Sequence, residues 1–275
     1  MGVKGLYSCL KQYSTEVVTE GLTPLRIGLD AYPFLYKFKH DLNSCIDLFQ
    51  KLKATHSLTV FVDGNPPKEK MEELAQRRQQ REQAYKQAEA LKIFLNDSEK
   101  SGSLDEEARA LIQKQIAAYE VESYSIKKEI REDFLRRVRE IEIPVFLCEG
   151  ESDDMLIQAS LKGEVDVIIA NDMDLFVGGV ERLWMLGKTQ SDPLFLEFRR
   201  SDISRKLGIH SKSWMDVAIL AGYEKTPQLK RTSAQQAIVW IRYYGSLENL
   251  LSRREELLQG NTKEEFLSSR KFFQL

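Results

Sequence analysis

Six acidic residues stand out by where they fall. Asp30 closes the apolar run LRIGLD, Asp63 closes LTVFVD, Asp172 and Asp174 close VDVIIANDMD, and the run IEIPVFLCEG leads into Glu151 and Asp153. A single acid of this kind serves most simply as a helix cap or an ion-pair partner, and two could coincide by chance. Six carboxylates gathered at segment ends without partners would repel one another and destabilise the fold, so cations are expected among them. Hard oxygen donors with no cluster of His or Cys select Mg²⁺ or Mn²⁺. A pair of such ions roughly 4 Å apart can clamp the attacking and leaving oxygens of a phosphodiester displacement.

The segments that carry these acids are rich in Val, Ile, Leu and Phe and are separated by helical stretches, the pattern of buried parallel strands in an α/β sheet. In open sheets of that kind the carboxyl ends of the strands converge on a ligand-binding crevice. Four strands each delivering an acid to that edge exceed what composition alone produces. The expected fold is α/β, a mostly parallel sheet with helices on both faces.

Residues 68–139 differ in kind, being rich in Lys, Arg, Glu, Gln and Ala with a weak apolar stripe. They read as two or more long exposed helices, interrupted near NDSEKSGS by Asp97, Ser98, Ser101, Gly102 and Ser103. Such a segment serves equally as a solvated hairpin with i,i+4 charge pairs or, inserted between two strands above the carboxyl edge, as a gate. Low apolar content predicts that residues 82–129 are mobile without substrate. From Ser201 onward helical patterning returns, with SWMDVAILAGYE, a basic turn KTPQLKRTS and the helix AQQAIVWIRYYG.

Composition bounds the function. The chain has 275 residues with 42% hydrophobic content, enough for one substantial core with an appendage. Its three cysteines, Cys9, Cys45 and Cys148, are scattered, which argues against a disulfide framework or zinc site and for a reduced, intracellular setting. No apolar run approaches the ~18 residues of a membrane span, and the N-terminal MGVKGLYSCL lacks a signal-peptide core. A net charge of −2 argues against a protein that coats nucleic acid non-specifically. An enzyme that concentrates acids at its centre and basic groups around it is compatible with that balance.

Taken in order, the motifs resemble the flap endonuclease/XPG family over nearly the whole chain. MGVKGL resembles that family's N-terminal motif, with Gly2 terminal once Met1 is removed. IGLDAYPFLYKF resembles its first acidic strand, with Tyr36 six residues after the acid. VFVDGNPPKEKMEELAQRR resembles its Asp-Gly-x-Pro-Pro element, with Lys70 and Arg77 at the positions of basic arch residues. IPVFLCEGESDD and IIANDMDLF resemble its paired-acid helix and Asp-x-Asp strand end, and the 19-residue step from Asp153 to Asp172 agrees. Any one motif is weak alone; their shared order is specific.

Departures accompany the likeness. Asp153 stands where the family usually has Glu, and Glu224, in AGYEK, stands in place of its last aspartate. The family's Gly-Ile-Gly hairpin, which lets backbone N–H groups approach duplex phosphate, aligns with Arg231, Thr232 and Ser233. Anchoring of a duplex there would fall to Lys225, Lys230 and Arg231. Phe272 and Phe273 lack the upstream Gln and aliphatic residue of a sliding-clamp peptide and read as packing residues.

The resemblance implies a PIN-like nuclease domain over residues 1–275: nuclease parts at 1–67 and 140–200, a helical arch at 68–139 and a helix-turn-helix-like region at 201–275. It implies two Mg²⁺ ions, replaceable by Mn²⁺, held by Asp30, Asp63, Glu151, Asp153, Asp172, Asp174 and Glu224. It places Asp172, Asp174, Lys70 and Arg77 in catalysis, and Gly2, Tyr36, Lys70, Arg77, Lys225, Lys230 and Arg231 on nucleic acid. The implied partner is branched or 5′-flap DNA, with RNA open, cut by a monomer in the nucleus of a eukaryotic cell or where a viral genome replicates, in DNA replication and repair. Lys70 and Arg77, seven apart, would share a helix face; the plain alternative for them is a solvated face, and for Tyr36 a place in the core. His40, His56 and His210 are isolated, and Trp184, Trp214 and Trp240 read as core. A rival reading is a nuclease-derived scaffold, no longer cutting, that serves RNA regulation or protein interaction.

Overall fold

A computed structural model describes residues 3–66, 70–101, 104–187, 193–223, 226, 232–258 and 260–273, the side chains of 99–101, 272 and 273 excepted. The chain divides into two compact units, one formed by Met1–Gly64 with Asp133–Leu275 and the other by Asn65–Glu132.

The larger unit is built on a seven-stranded sheet of β1 (Thr15–Glu16), β2 (Arg26–Asp30), β3 (Ser57–Val62), β4 (Val145–Leu147), β5 (Val167–Ile169), β6 (Arg182–Leu186) and β7 (Phe195–Arg199), in the order β1-β7-β6-β5-β2-β3-β4. The five strands from β6 to β4 are parallel, and β7 and then β1 add antiparallel at one edge. The expected mostly parallel sheet is thus present with an antiparallel border. The chain runs outward from β2 through β3 to β4, then returns to lay β5 and β6 on the other side of β2. The direction of winding reverses between β2 and β5, and in open α/β sheets the crevice at that reversal is where ligands bind.

Helices cover both faces because alternate strand residues point oppositely. One core gathers α1 (Leu6–Leu10), α7 (Ser152–Leu161), α8 (Asp174–Gly178), α10 (Trp214–Ala221) and α11 (Ala234–Tyr244) around Ile168, Leu183, Met185 and Phe198, with Trp214 edge-on to Phe176 at 4.9 Å. Val167 and Ile169, the neighbours of Ile168, are buried outside that cluster. The opposite face carries α2 (Ala31–Lys37), α3 (Leu42–Lys53) and the later part of α6 (Lys128–Glu140), where Phe49 stacks edge-on with Phe34 at 4.8 Å and Phe134 at 6.0 Å. Fully burying such rings stabilises the fold by about 1.5–3 kcal/mol each.

Beyond the sheet, α9 (Arg200–Leu207) and α10 are locked by the Trp214 indole N–H donating to the buried Ser204 hydroxyl at 2.8 Å. Arg270 grips both carboxylate oxygens of Asp216 on α10 and also Glu248 on α12 (Leu247–Arg253), while α13 (Lys263–Ser268) opens on a Thr262–Glu265 capping box. As the sequence suggests, Trp184 and Trp214 are fully buried, and Trp240 packs partly buried against the same core. His56 is buried with its Nδ1 accepting the Leu25 N–H, and His210 accepts the Lys212 N–H.

The smaller unit holds α4 (Met71–Ser101) and α5 (Glu106–Ser123). Glu, Gln, Lys, Arg and Ala favour helix, and α4 keeps going for 31 residues, roughly 45 Å of axis. It passes through Asn96, Asp97 and Ser98 and ends at Ser101, within the NDSEKSGS segment where an interruption is expected. Asp97 and Ser98 each cost well under about 1 kcal/mol in a helix, too little to break one with strong formers before it. Lys92 ties the two helices by pairing with Glu120 at 2.8 Å while holding Glu89 on its own helix. Asp105 caps α5 by accepting the Ala108 N–H.

Candidate active site

Each acid is set by a local rule. Asp30 ends β2 and begins α2, and its Oδ1 accepts the Tyr32 N–H at 3.1 Å as a helix N-cap. Asp63 follows β3, and its Oδ1 takes both the backbone N–H and the hydroxyl of Ser152, at 2.8 and 2.7 Å. Ser152 is the first residue of α7, so this pair of hydrogen bonds draws the helix turn bearing Asp153 onto the end of β3. Gly64 makes the approach possible: a Cβ there would lie 1.9 Å from the Cys148 carbonyl oxygen, and its own N–H donates to Gly150. On the other side of β2, Asp172 accepts the Asp174 N–H at 3.0 Å, and Asp174 in the first turn of α8 accepts the Val3 N–H at 3.0 Å.

Electrostatics shows that these side chains share one place. Burial pushes the Asp30 carboxyl up to about 7, with Asp63 and Asp172 adding to the rise and the Tyr32 N–H and Ser152 hydroxyl opposing it. Asp153 is pushed well above the usual carboxylate range, first by burial and then by Asp30, Asp172, Asp63 and Asp174. The Cys148 thiol is raised by burial, with Asp63, Asp30 and Asp153 contributing. Asp153 therefore feels Asp30, Asp63, Asp172 and Asp174, so that five of the seven expected acids lie around the first turn of α7.

The donor chemistry fits hard divalent cations, since carboxylate oxygens predominate and their mutual repulsion is what a cation would relieve. Among the described residues, no group of three or more His, Cys, Asp or Glu is placed so as to hold an ion. Glu224, the seventh expected ligand, lies outside the described residues.

The remaining expected residues are placed as follows. Glu151 occupies the N-cap position of α7 without a side-chain cap bond and is not among the carboxylates that bear most on Asp30 or Asp153. Tyr36 is 44% exposed on α2, which excludes the core alternative. Lys70 lies in a 3-10 turn immediately before α4, so the two-turn helical spacing that would align it with Arg77 does not hold over its full length. Arg77 forms an ion pair with Glu73 one turn earlier on α4. Gly2, Lys225, Lys230 and Arg231 lie outside the described residues, as do the side chains of Phe272 and Phe273. Sequence reasoning missed Ser152 and Val3, whose bonds orient the acids, and Asn171, whose side chain accepts the Leu186 N–H at the end of β6. Ser152 was legible in part, as a small hydroxyl between two acids at a helix start.

Removing the buried charge has a directional consequence. A carboxyl whose folded pKa is raised from 3.8 to about 7 contributes stability below the unfolded value that is lost as pH rises through the folded value. Without divalent ions, Asp30→Asn is therefore expected to match the parent near pH 4 and exceed its stability by on the order of 2–4 kcal/mol at pH 8. Thermal unfolding in EDTA at the two pH values reads the difference, and Mg²⁺ should stabilise the parent more than the variant. Equal stability at pH 8 would show that Asp30 is not held against repulsion.

A parallel sheet with carboxylates from successive strand ends gathered at the winding reversal defines a PIN-like α/β protein with an acidic crevice. The chain is 25% identical over 283 residues to flap endonuclease 1 of Micromonas commoda, covering 93% of this chain and 69% of that protein. Its fold matches the catalytic core of Rad2 in complex with DNA substrate, with a TM-score of 0.62 at 15% identity over 100% of this chain and 80% of that one. It also matches flap endonuclease-1 from Methanococcus jannaschii, with a TM-score of 0.58 at 17% identity over 96% of this chain and 84% of that one. No family model matches the chain. The chain is thus similar to flap endonucleases over nearly its whole length, at about a quarter of its residues identical.

Proposed function

We propose that this protein is a Mg²⁺-dependent, structure-specific 5′ nuclease that hydrolyses phosphodiester bonds in flap or branched DNA. The observation that carries the proposal is the position of Asp153, surrounded by Asp30, Asp63, Asp172 and Asp174 from separate strand ends. A scaffold has no chemical reason to keep five mutually repelling carboxylates at its ligand crevice. The relatives named as flap endonucleases and the Rad2 core seen with a DNA substrate support the substrate class.

In this reading Asp30, Asp63, Asp153, Asp172 and Asp174, with Glu151 and Glu224, would hold the divalent ions. Bound there, the ions would supply Lewis-acid charge and lower the pKa of a water that attacks the phosphodiester in line. Ser152 keeps Asp63 and Asp153 side by side, and the Val3 N–H fixes one oxygen of Asp174. The exposed ring of Tyr36 would stack on a base of the substrate, a contact tolerant of sequence. Lys70 and Arg77 would offset charge developing on the scissile phosphate. Lys225, Lys230 and Arg231 would hold the duplex backbone through their side chains.

The test is cleavage of a 5′-flap DNA and of single-stranded RNA with Mg²⁺, with Mn²⁺ and with EDTA. Flap cleavage that needs the metal is expected. Binding of either nucleic acid with no cleavage in any metal would favour the silenced scaffold, and cutting confined to RNA would move the substrate class.

A further inference from the structure

We propose that Asn171 is a positioning residue which, with Lys37, sets the spacing between the two halves of the acidic crevice. The inference deepens the nuclease reading and rests on it for the role of the acids.

Strand β5 stops at Ile169, yet its neighbour β6 continues to Leu186. The ladder between them is regular up to the Ala170 N–H, which donates to the Trp184 carbonyl at 3.1 Å. In a parallel ladder the next N–H along β6, that of Leu186, would ordinarily find a backbone carbonyl on β5. It donates instead to the side-chain Oδ1 of Asn171 at 2.9 Å. Leu186 is buried, so its N–H would cost about 1–3 kcal/mol if left without a partner. The Asn171 amide thus lets the main chain leave the sheet one residue before Asp172. The turn formed there is the one in which Asp172 accepts the Asp174 N–H.

The same end of β6 is held from the other side. The Lys37 ammonium donates to the Gly187 carbonyl at 2.6 Å, and Lys37 ends α2, the helix that Asp30 caps and Tyr36 decorates. Asn171 and Lys37 therefore grip adjacent residues, Leu186 and Gly187, from the two elements that carry Asp172 with Asp174 and Asp30. The end of β6 becomes a fixed spacer between the acid on β2 and the pair after β5. Asparagine suits the position because it supplies a carbonyl acceptor without adding another charge beside Asp172. Removing a group hydrogen-bonded directly to a metal ligand typically changes metal affinity by about 10–100-fold, and Asn171 and Lys37 act one step further out, on the main chain that carries the acids.

Mn²⁺ binding to the protein without nucleic acid, followed by electron paramagnetic resonance, reads this role apart from cleavage. Asn171→Leu, which removes the acceptor at similar volume, should weaken Mn²⁺ binding about tenfold. Asn171→Asp, which keeps an Oδ1 acceptor, should restore it, and Lys37→Met on the exposed end of α2 should weaken it in the same direction. In single-turnover cleavage of a 5′ flap, Asn171→Leu should lower the rate at saturating DNA while leaving the half-saturating DNA concentration unchanged. A lowered melting temperature with parent-like Mn²⁺ affinity would overturn the inference, as would an Asn171→Asp protein as weak as the Leu variant. A parent protein that binds Mn²⁺ but cuts nothing would remove the nuclease reading and leave the positioning role standing on the metal titrations.

Discussion

Replacing both Asp172 and Asp174 with Ala is expected to abolish Mg²⁺ and Mn²⁺ binding at the crevice and to slow flap cleavage by at least about 4 kcal/mol of barrier, a thousandfold. Asp172 lies in the turn that follows β5 and Asp174 opens α8, and both act on Asp153 through charge. The fold should survive. The lost contacts include hydrogen bonds from the Asp174 and Val3 N–H groups, each about 1 kcal/mol net, and the relieved repulsion opposes that loss. Calorimetric titration with MnCl₂, paired with thermal unfolding, checks both halves. Unchanged ion binding in a folded double variant would place the metal elsewhere and sink the site assignment.

Lys70→Ala and Arg77→Ala should each raise the cleavage barrier by about 2–4 kcal/mol, as removal of one preorganised electrostatic group does, with a much smaller effect on substrate affinity. The Glu73 partner of Arg77 adds a further expectation. The pair is half-buried, so Arg77 must leave Glu73 to reach a phosphate, and Glu73→Gln should ease that exchange and lower the barrier. If the protein instead grips nucleic acid as a scaffold, the same substitutions should weaken binding modestly and reduce its salt dependence by about one counterion each. Single-turnover rates and binding isotherms measured on the same two proteins separate the outcomes. Loss of affinity alone, from a parent that never cleaves, would end the enzyme reading.

Much of the frame was legible in the residues. LRIGLD, LTVFVD and VDVIIANDMD declared buried parallel strands because a continuous apolar run bounded by an acid is a local property, and each run did become a strand or its end. The helical character of α4 and α5 was legible for the same reason, since propensity acts within a few residues. The end of α4 was less so, because Asp97 and Ser98 weaken a helix without deciding where it stops. Strands β6 and β7 went unseen: their mixed sequences, with Arg182 pairing to Glu197 across the ladder and Arg199 to Glu197 within β7, carry no alternation that marks a strand alone.

What only the tertiary structure decided is which acids meet and what holds them. Asp63 reaches Ser152 across 89 residues and Asp174 reaches the Val3 N–H across 171, distances at which no periodicity carries information. The same holds for Asn171, an ordinary amide between two motif residues until the end of β6 is laid beside it. The sequence by itself determined the residue types, the strands that carry them and the kind of cation they suit, because those follow from local composition and charge. Their mutual distances and hydrogen-bonded orientations come from the winding of the sheet, which places the ends of β2 and β5 side by side only after the chain has passed through β3, the smaller unit and β4.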